Sequence, residues 1–177
     1  MSNQPFGEFS QGAAIAGFFA KDYRLSLHWM PHYIEDFPNA LSDIQLSWEN
    51  RKFVSAAQEQ IPDEFGVYCF TVDLGHPFPN GVHLPLYIGK AADQYLSQRF
   101  KDYLAEKQSL SGRKQIVAAL NKYKDRIYFW WATMEYGYTD AVEKHLLMCC
   151  ETPCNERKYN REMFWGKAFA SISEGDK

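Results

Sequence analysis

Between Gly66 and Val72 the chain reads Gly-Val-Tyr-Cys-Phe-Thr-Val, a β-branched and aromatic run with the composition of a strand. Residues 73–81 are loop, and a second run from His83 to Gly89 sets Leu84, Leu86 and Ile88 on one expected face with Tyr87 on the other. Two such runs joined by a loop predict a hairpin. The period then lengthens. Residues 92–106 carry Leu96, Phe100, Tyr103 and Leu104 on one helical stripe, and residues 113–124 carry Ile116, Val117, Leu120 and Tyr123 on another. Residues 126–134 are too continuously aromatic for a surface segment and predict a strand at the centre of a sheet. A third helix is expected over residues 140–151, ended by Pro153 just beyond it.

The order strand, strand, helix, helix, strand, helix predicts an α+β fold with a small three-stranded, mostly antiparallel sheet and flanking helices. Pro62 and Gly66, with acidic residues between them, mark an expected boundary, which divides the chain into an N-terminal extension, residues 1–61, and a second domain, residues 62–177. In the extension, residues 23–30 and 43–54 read as strands and residues 37–40, Phe-Pro-Asn-Ala, as a turn. The extension carries no recognisable chemical motif. Its expected role is substrate selection, or contact with a second copy of the chain or a partner protein.

With 177 residues the chain can bury a proper core without disulfides, and an aromatic content of 16% argues against a disordered polymer. No run approaches the length of a membrane span and the first residues lack a basic leader, so a cytoplasmic protein is expected. Cys69, Cys149, Cys150 and Cys154 lack paired ligand spacing and read as buried thiols rather than a zinc site. A net charge of −3 does not advertise a nucleic-acid binder, but its distribution changes the picture. Residues 1–64 hold nine acidic and four basic side chains, whereas residues 65–177 hold thirteen and fifteen. Arg113, Lys114, Lys122, Lys124 and Arg126 cluster with only Asp125 opposing them, and Arg157, Lys158 and Arg161 follow. Such a cluster is either a solvated helix face or a track for a phosphate backbone.

The candidate chemistry is ordered along the second domain. Gly66-Val67-Tyr68, then Tyr87-Ile88-Gly89-Lys90, then Arg99, then Glu143, then Asn155 resemble the five motifs of the GIY-YIG nuclease family, in the same order. The likeness covers residues 62–160. Two departures stand out: the loop between the tyrosine strands is longer than in compact members, and Arg99 lies about two residues further from Tyr87 than in the bacterial excision-repair nuclease.

The residues also have a reading of their own. Glu143 lies between the directions of Leu147 and Cys150 on its helix and so faces inward, where a carboxylate is costly unless paired or bound to a cation. The alternative is a first-turn carboxylate complementing the helix dipole, with Asp140 as cap. One carboxylate suits Mg²⁺, or Mn²⁺ in its place, because such ions keep waters and take phosphate oxygens. Arg99 falls one turn before Tyr103, and its planar fork of donors matches a phosphate. Asn155 does not titrate and suits a positioning role. His145 points away from the Glu143 face and is expected at the surface. Phe129, Trp130 and Trp131 are expected in the core rather than as stacking platforms.

What the resemblance implies is a single-metal endonuclease acting on DNA. In it Glu143 holds the cation, which stabilises the leaving 3′ oxygen, and Arg99 binds the scissile phosphate. Tyr68, assisted by Tyr87, takes the proton of the attacking water, and Lys90 or the waters of the cation favour the phenolate. The rival expectation is a non-catalytic binding module on the same scaffold.

Overall fold

A computed structural model of the chain describes residues 27–155; residues 23–26 of the first expected strand and Arg157, Lys158 and Arg161 lie outside them. The elements run β1 (His28–Trp29), α1 (Pro31–Ala40), β2 (Glu49–Lys52), a short 3-10 helix (Ser55–Gln60), β3 (Gly66–Asp73), β4 (His83–Ala91), α2 (Leu96–Ser109), α3 (Lys114–Lys122), β5 (Ile127–Thr133), α4 (Thr139–Cys149) and β6 (Cys150–Glu151). A 3-10 turn at Tyr136–Tyr138 leads into α4. The fold is α+β. Its main sheet is antiparallel throughout, in the order β2-β5-β3-β4, while β1 and β6 pair by themselves.

The sheet therefore has four strands where three were expected. The added strand, β2, lies within residues 43–54, expected above as a strand of the extension; it joins the main sheet as an edge strand whose side chains are mostly solvated. Its register sets Asn50 opposite Trp130 and Lys52 opposite Tyr128. Directly after it Phe53 turns inward and makes edge-to-face contacts with Phe70 at 5.0 Å and Phe100 at 4.9 Å. Phe53, Ala57 and Ile61, all from before residue 62, belong to the same core cluster as Tyr68, Phe129 and Trp131.

That core fills the space between one face of the sheet and helices α2 and α3, to which Phe100, Tyr103, Ile116 and Leu120 contribute. On the opposite face Val142 of α4 packs on Val67 and Ala132, and Leu147 packs on Ile88 and Cys150. Strand β5 lies inside the sheet as expected, with Phe129 and Trp131 buried and Tyr128 and Trp130 half-buried on the other face. Trp130 donates its indole N–H to Thr71 Oγ1 at 3.0 Å.

The face assignment on β4 needs correction. The register with β3 slips between Phe70, opposite Tyr87, and Thr71, opposite Pro85, so Leu86 is an extra residue in a bulge. Leu84, Leu86 and Tyr87 consequently all meet the α2/α3 core, and Ile88 goes to the opposite side.

Two further expectations fail because of α1. Residues 37–40 are the last turn of this helix rather than a free turn; Pro31 starts it, and Pro38 sits near the end, where Leu41 closes the helix with an N–H bond to the Phe37 carbonyl at 3.0 Å. Helix α1 also covers His145. Instead of lying at the surface, His145 is buried, with Nε2 2.7 Å from the Tyr33 carbonyl and its ring edge-on to Phe37 at 5.0 Å. Helix α4 ends at Cys149, and Cys150–Glu151 leave it to pair with β1. Cys149, Cys150 and Cys154 are buried thiols and Cys69 is half-buried. Among the described residues no helix is long and apolar enough to cross a membrane.

Candidate active site

Strands β3 and β4 place Tyr68 and Tyr87 side by side, their ring centroids 6.1 Å apart. The neighbour of Tyr68 across the pair is Gly89. A Cβ there would stand 2.6 Å from the Tyr68 hydroxyl and 2.8 Å from the Tyr87 ring. The glycine of the Tyr-Ile-Gly sequence is thus the space the two phenols occupy. Tyr103 of α2 joins them, its hydroxyl 3.1 Å from that of Tyr68. Arg113, just before α3, donates to the hydroxyls of both Tyr87 and Tyr103, with its guanidinium 4.7 Å from the Tyr87 ring centre.

Burial pushes the Tyr68 phenol well above its ordinary value, and the neighbouring Tyr87 adds to the shift; the Tyr103 hydrogen bond, Arg99 and Arg113 pull the other way without reversing it. Tyr103 is raised likewise, first by burial and then by the other two phenols. These phenols hold their protons at neutral pH. The role of base expected of Tyr68 runs against this shift, and Tyr68 is better suited to donate a hydrogen bond than to accept a proton.

Lys90, the last residue but one of β4, faces α4. It donates to Asp140 and stands 3.5 Å from Glu143 Oε2. The Asp140 hydrogen bond, ahead of the charge of Glu143, holds the ammonium above its usual range despite partial burial. Asp140 is therefore bound to Lys90 rather than capping α4, for which no side-chain cap forms. The Glu143 side chain is only 16% exposed, on the inward face of α4. Asn155 serves the free edge of β4: it accepts from the Ile88 N–H at 2.9 Å and donates to the Ile88 carbonyl at 2.8 Å, as a neighbouring strand would. Thr152 donates to the same Asn155 oxygen, and the Cys154 N–H reaches the Leu86 carbonyl at 2.9 Å.

These side chains share one cavity of about 450 Å³. Tyr68, Tyr87, Lys90, Arg99, Glu143 and Asn155 all line it, together with Glu106, Arg113, Leu147 and Cys154. Arg99 Nε is buried there without a hydrogen-bond partner. An unpaired guanidinium donor in a polar cavity is a vacancy for an acceptor such as a phosphate oxygen.

The basic cluster does not form one continuous track. Helix α3 ends at Lys122, so its charges separate to the two ends of a nine-residue helix. Arg113 belongs to the cavity, and Lys114 is exposed beside it. At the far end Lys122 lies 5.3 Å from the Tyr123 ring centre, Lys124 is exposed, and Arg126 donates to the Leu74 carbonyl at 2.6 Å, tying down the β3–β4 loop.

No three His, Cys, Asp or Glu side chains gather as a metal-binding group among the described residues. Two carboxylates line the cavity, Glu143 and Glu106, and a cation held as the resemblance implies would have Glu143 as its protein ligand. That donor set fits Mg²⁺ or Mn²⁺ completed by water and phosphate oxygens, and Asp140 offers the Lys90 ammonium a partner away from Glu143. Neither a family model, nor a curated protein, nor a solved structure matches this chain.

Two charged residues of the cavity, Arg113 and Glu106, escape the motif reading. Arg113 was counted with the helix face, because nothing local shows that its side chain folds back onto β4. Glu106 follows Arg99 by seven residues, which returns it to nearly the same side of α2; that spacing was the available signal.

Proposed function

We propose that this chain is a GIY-YIG-type endonuclease that hydrolyses DNA phosphodiester bonds through a single-metal site. The observation that carries the reading is the convergence of six side chains, named from sequence motifs spread over 88 positions from Tyr68 to Asn155, on one cavity that holds an unpaired arginine donor. Arg99 binds the scissile phosphate, and Arg113 supplies a second cation beside it. Tyr68 and Tyr87 orient the phosphate and the attacking water as hydrogen-bond donors. Asn155 fixes the strand that carries Tyr87. A Mg²⁺ or Mn²⁺ ion on Glu143, when bound, supplies charge stabilisation for the leaving oxygen. Lys114, Lys122 and Lys124 contribute to backbone attraction at two separated points rather than along a helix. Residues 1–61 select substrate or contact another subunit, apart from their share of the sheet and core.

Plasmid nicking with and without Mg²⁺ tests the reading, run beside Glu143→Ala and Arg99→Ala. Expected is Mg²⁺-dependent nicking that falls about 100-fold or more in each variant. Unchanged activity in both variants overturns the site. A folded wild-type chain that retains DNA but never nicks it is the binding module instead.

A further inference from the structure

The cavity contains a carboxylate that the proposed site does not use. Glu106 lines it from α2, on the helix that also carries Arg99 and Tyr103. Its Oε2 is sealed from solvent and has no hydrogen-bond partner. Among the described residues no ion pair reaches it; Arg113, which donates to Tyr87 and Tyr103, lowers its carboxyl through charge alone. The loop between α2 and α3 closes over it at Gly112, where φ is +83° and an added Cβ would stand 2.4 Å from Oε2 and 2.6 Å from Cδ. One carboxylate oxygen is thus packed under the loop, while the residue itself lines the cavity.

We propose that Glu106 is a catalytic residue of this cavity, the group that takes the proton from the water attacking the phosphodiester; the inference rests on the nuclease reading. In the step, the water oxygen bonds to phosphorus and one of its protons passes to the Glu106 carboxylate. The P–O3′ bond breaks with its electron pair on O3′, which takes a proton from solvent. Glu106 then returns its own proton to solvent, and the site is restored.

Three observations favour Glu106 over the phenols. A carboxylate is ionised where a buried phenol is not. Burial raises the Glu106 carboxyl, and Asp102 raises it further, while Arg113 and Arg99 pull it down, so the group is a stronger base than an exposed glutamate. A sealed, unpaired carboxylate oxygen also costs stability, and a cost of this kind is characteristic of a functional position.

The test compares wild type, Glu106→Gln, Glu106→Asp and Arg99→Ala as full-length chains, with nicking, DNA binding in Ca²⁺ and thermal melting measured on each. Expected for Glu106→Gln is a loss of about 100-fold or more in cleavage, DNA binding within about threefold of wild type, and a melting temperature at pH 7 no lower than wild type. Glu106→Asp, which keeps the carboxylate, recovers part of the rate. The acid limb of the wild-type pH–rate profile is absent in Glu106→Gln. The other charged or titratable groups facing this carboxyl, Arg99, Asp102, Arg113, Tyr68, Tyr87, Lys90 and Glu143, are the same in both chains. Glu106→Gln cleaving within about threefold of wild type, while Arg99→Ala is dead, overturns the inference and leaves the nuclease reading standing. Loss of cleavage together with a lowered melting temperature makes Glu106 structural and also overturns it. A wild-type chain that never nicks removes both.

Discussion

At the scale of the residue, Gly89 decides whether two phenols can share one cavity. The Gly89→Ala methyl would meet the Tyr68 hydroxyl and the Tyr87 ring at distances no side chain tolerates. Expected for Gly89→Ala is a destabilisation of about 1–3 kcal/mol in denaturant melts, with nicking lost beyond what the stability change explains. Glu106 has the opposite signature. Its carboxyl pKa is raised on folding, so the folded chain holds that proton to higher pH than the unfolded chain. Stability from this group is full below the unfolded value and is lost as pH rises through the folded one. Glu106→Gln is therefore expected to match wild type near pH 4 and to melt higher at pH 7. A melting curve for Glu106→Gln below wild type at both pH values contradicts this.

At the scale of the element, β4 is an edge strand, and its pairing is completed by residues far along the chain. Asn155 satisfies both backbone groups of Ile88, next to Tyr87. Asn155→Ala leaves those groups unpaired, and the expected cost is about 1–3 kcal/mol, with slower amide exchange protection lost at Ile88. Much of this level was legible. The strands around Tyr68 and Tyr87, the strand over residues 126–134 and the stripes of α2, α3 and α4 follow from local period alone. The rest depended on contacts that no local pattern records. A bulge at Leu86 turns Tyr87 to the core side, Pro38 disguises the last turn of α1, and the strand expected within residues 43–54 joins the main sheet by pairing with β5. His145 was misplaced for the same reason, since the helix that buries it was read as a turn.

At the scale of the whole molecule, the sheet and its core extend back beyond the motifs. Phe53 is fully buried against Phe70 and Phe100, and β2 forms the outer edge beside β5. Expected for Phe53→Ala is a loss of about 3–5 kcal/mol, and a fragment beginning at residue 62 is expected to lack a cooperative melt. A cooperative melt in that fragment would show that the motif-bearing region stands alone. Arg99, Glu143 and Asn155, named from the resemblance, line one cavity, whereas nothing local placed the Arg113 side chain there and Glu106 had no signal beyond its seven-residue spacing from Arg99. The most direct measurement is the cleavage rate of Arg99→Ala, Glu143→Ala and the double variant on one plasmid substrate with Mg²⁺. If both side chains act on one phosphate, each single change costs about 100-fold or more and the double variant is little worse than the weaker single one. Wild-type cleavage by either single variant, or losses that multiply in the double, would contradict a shared site.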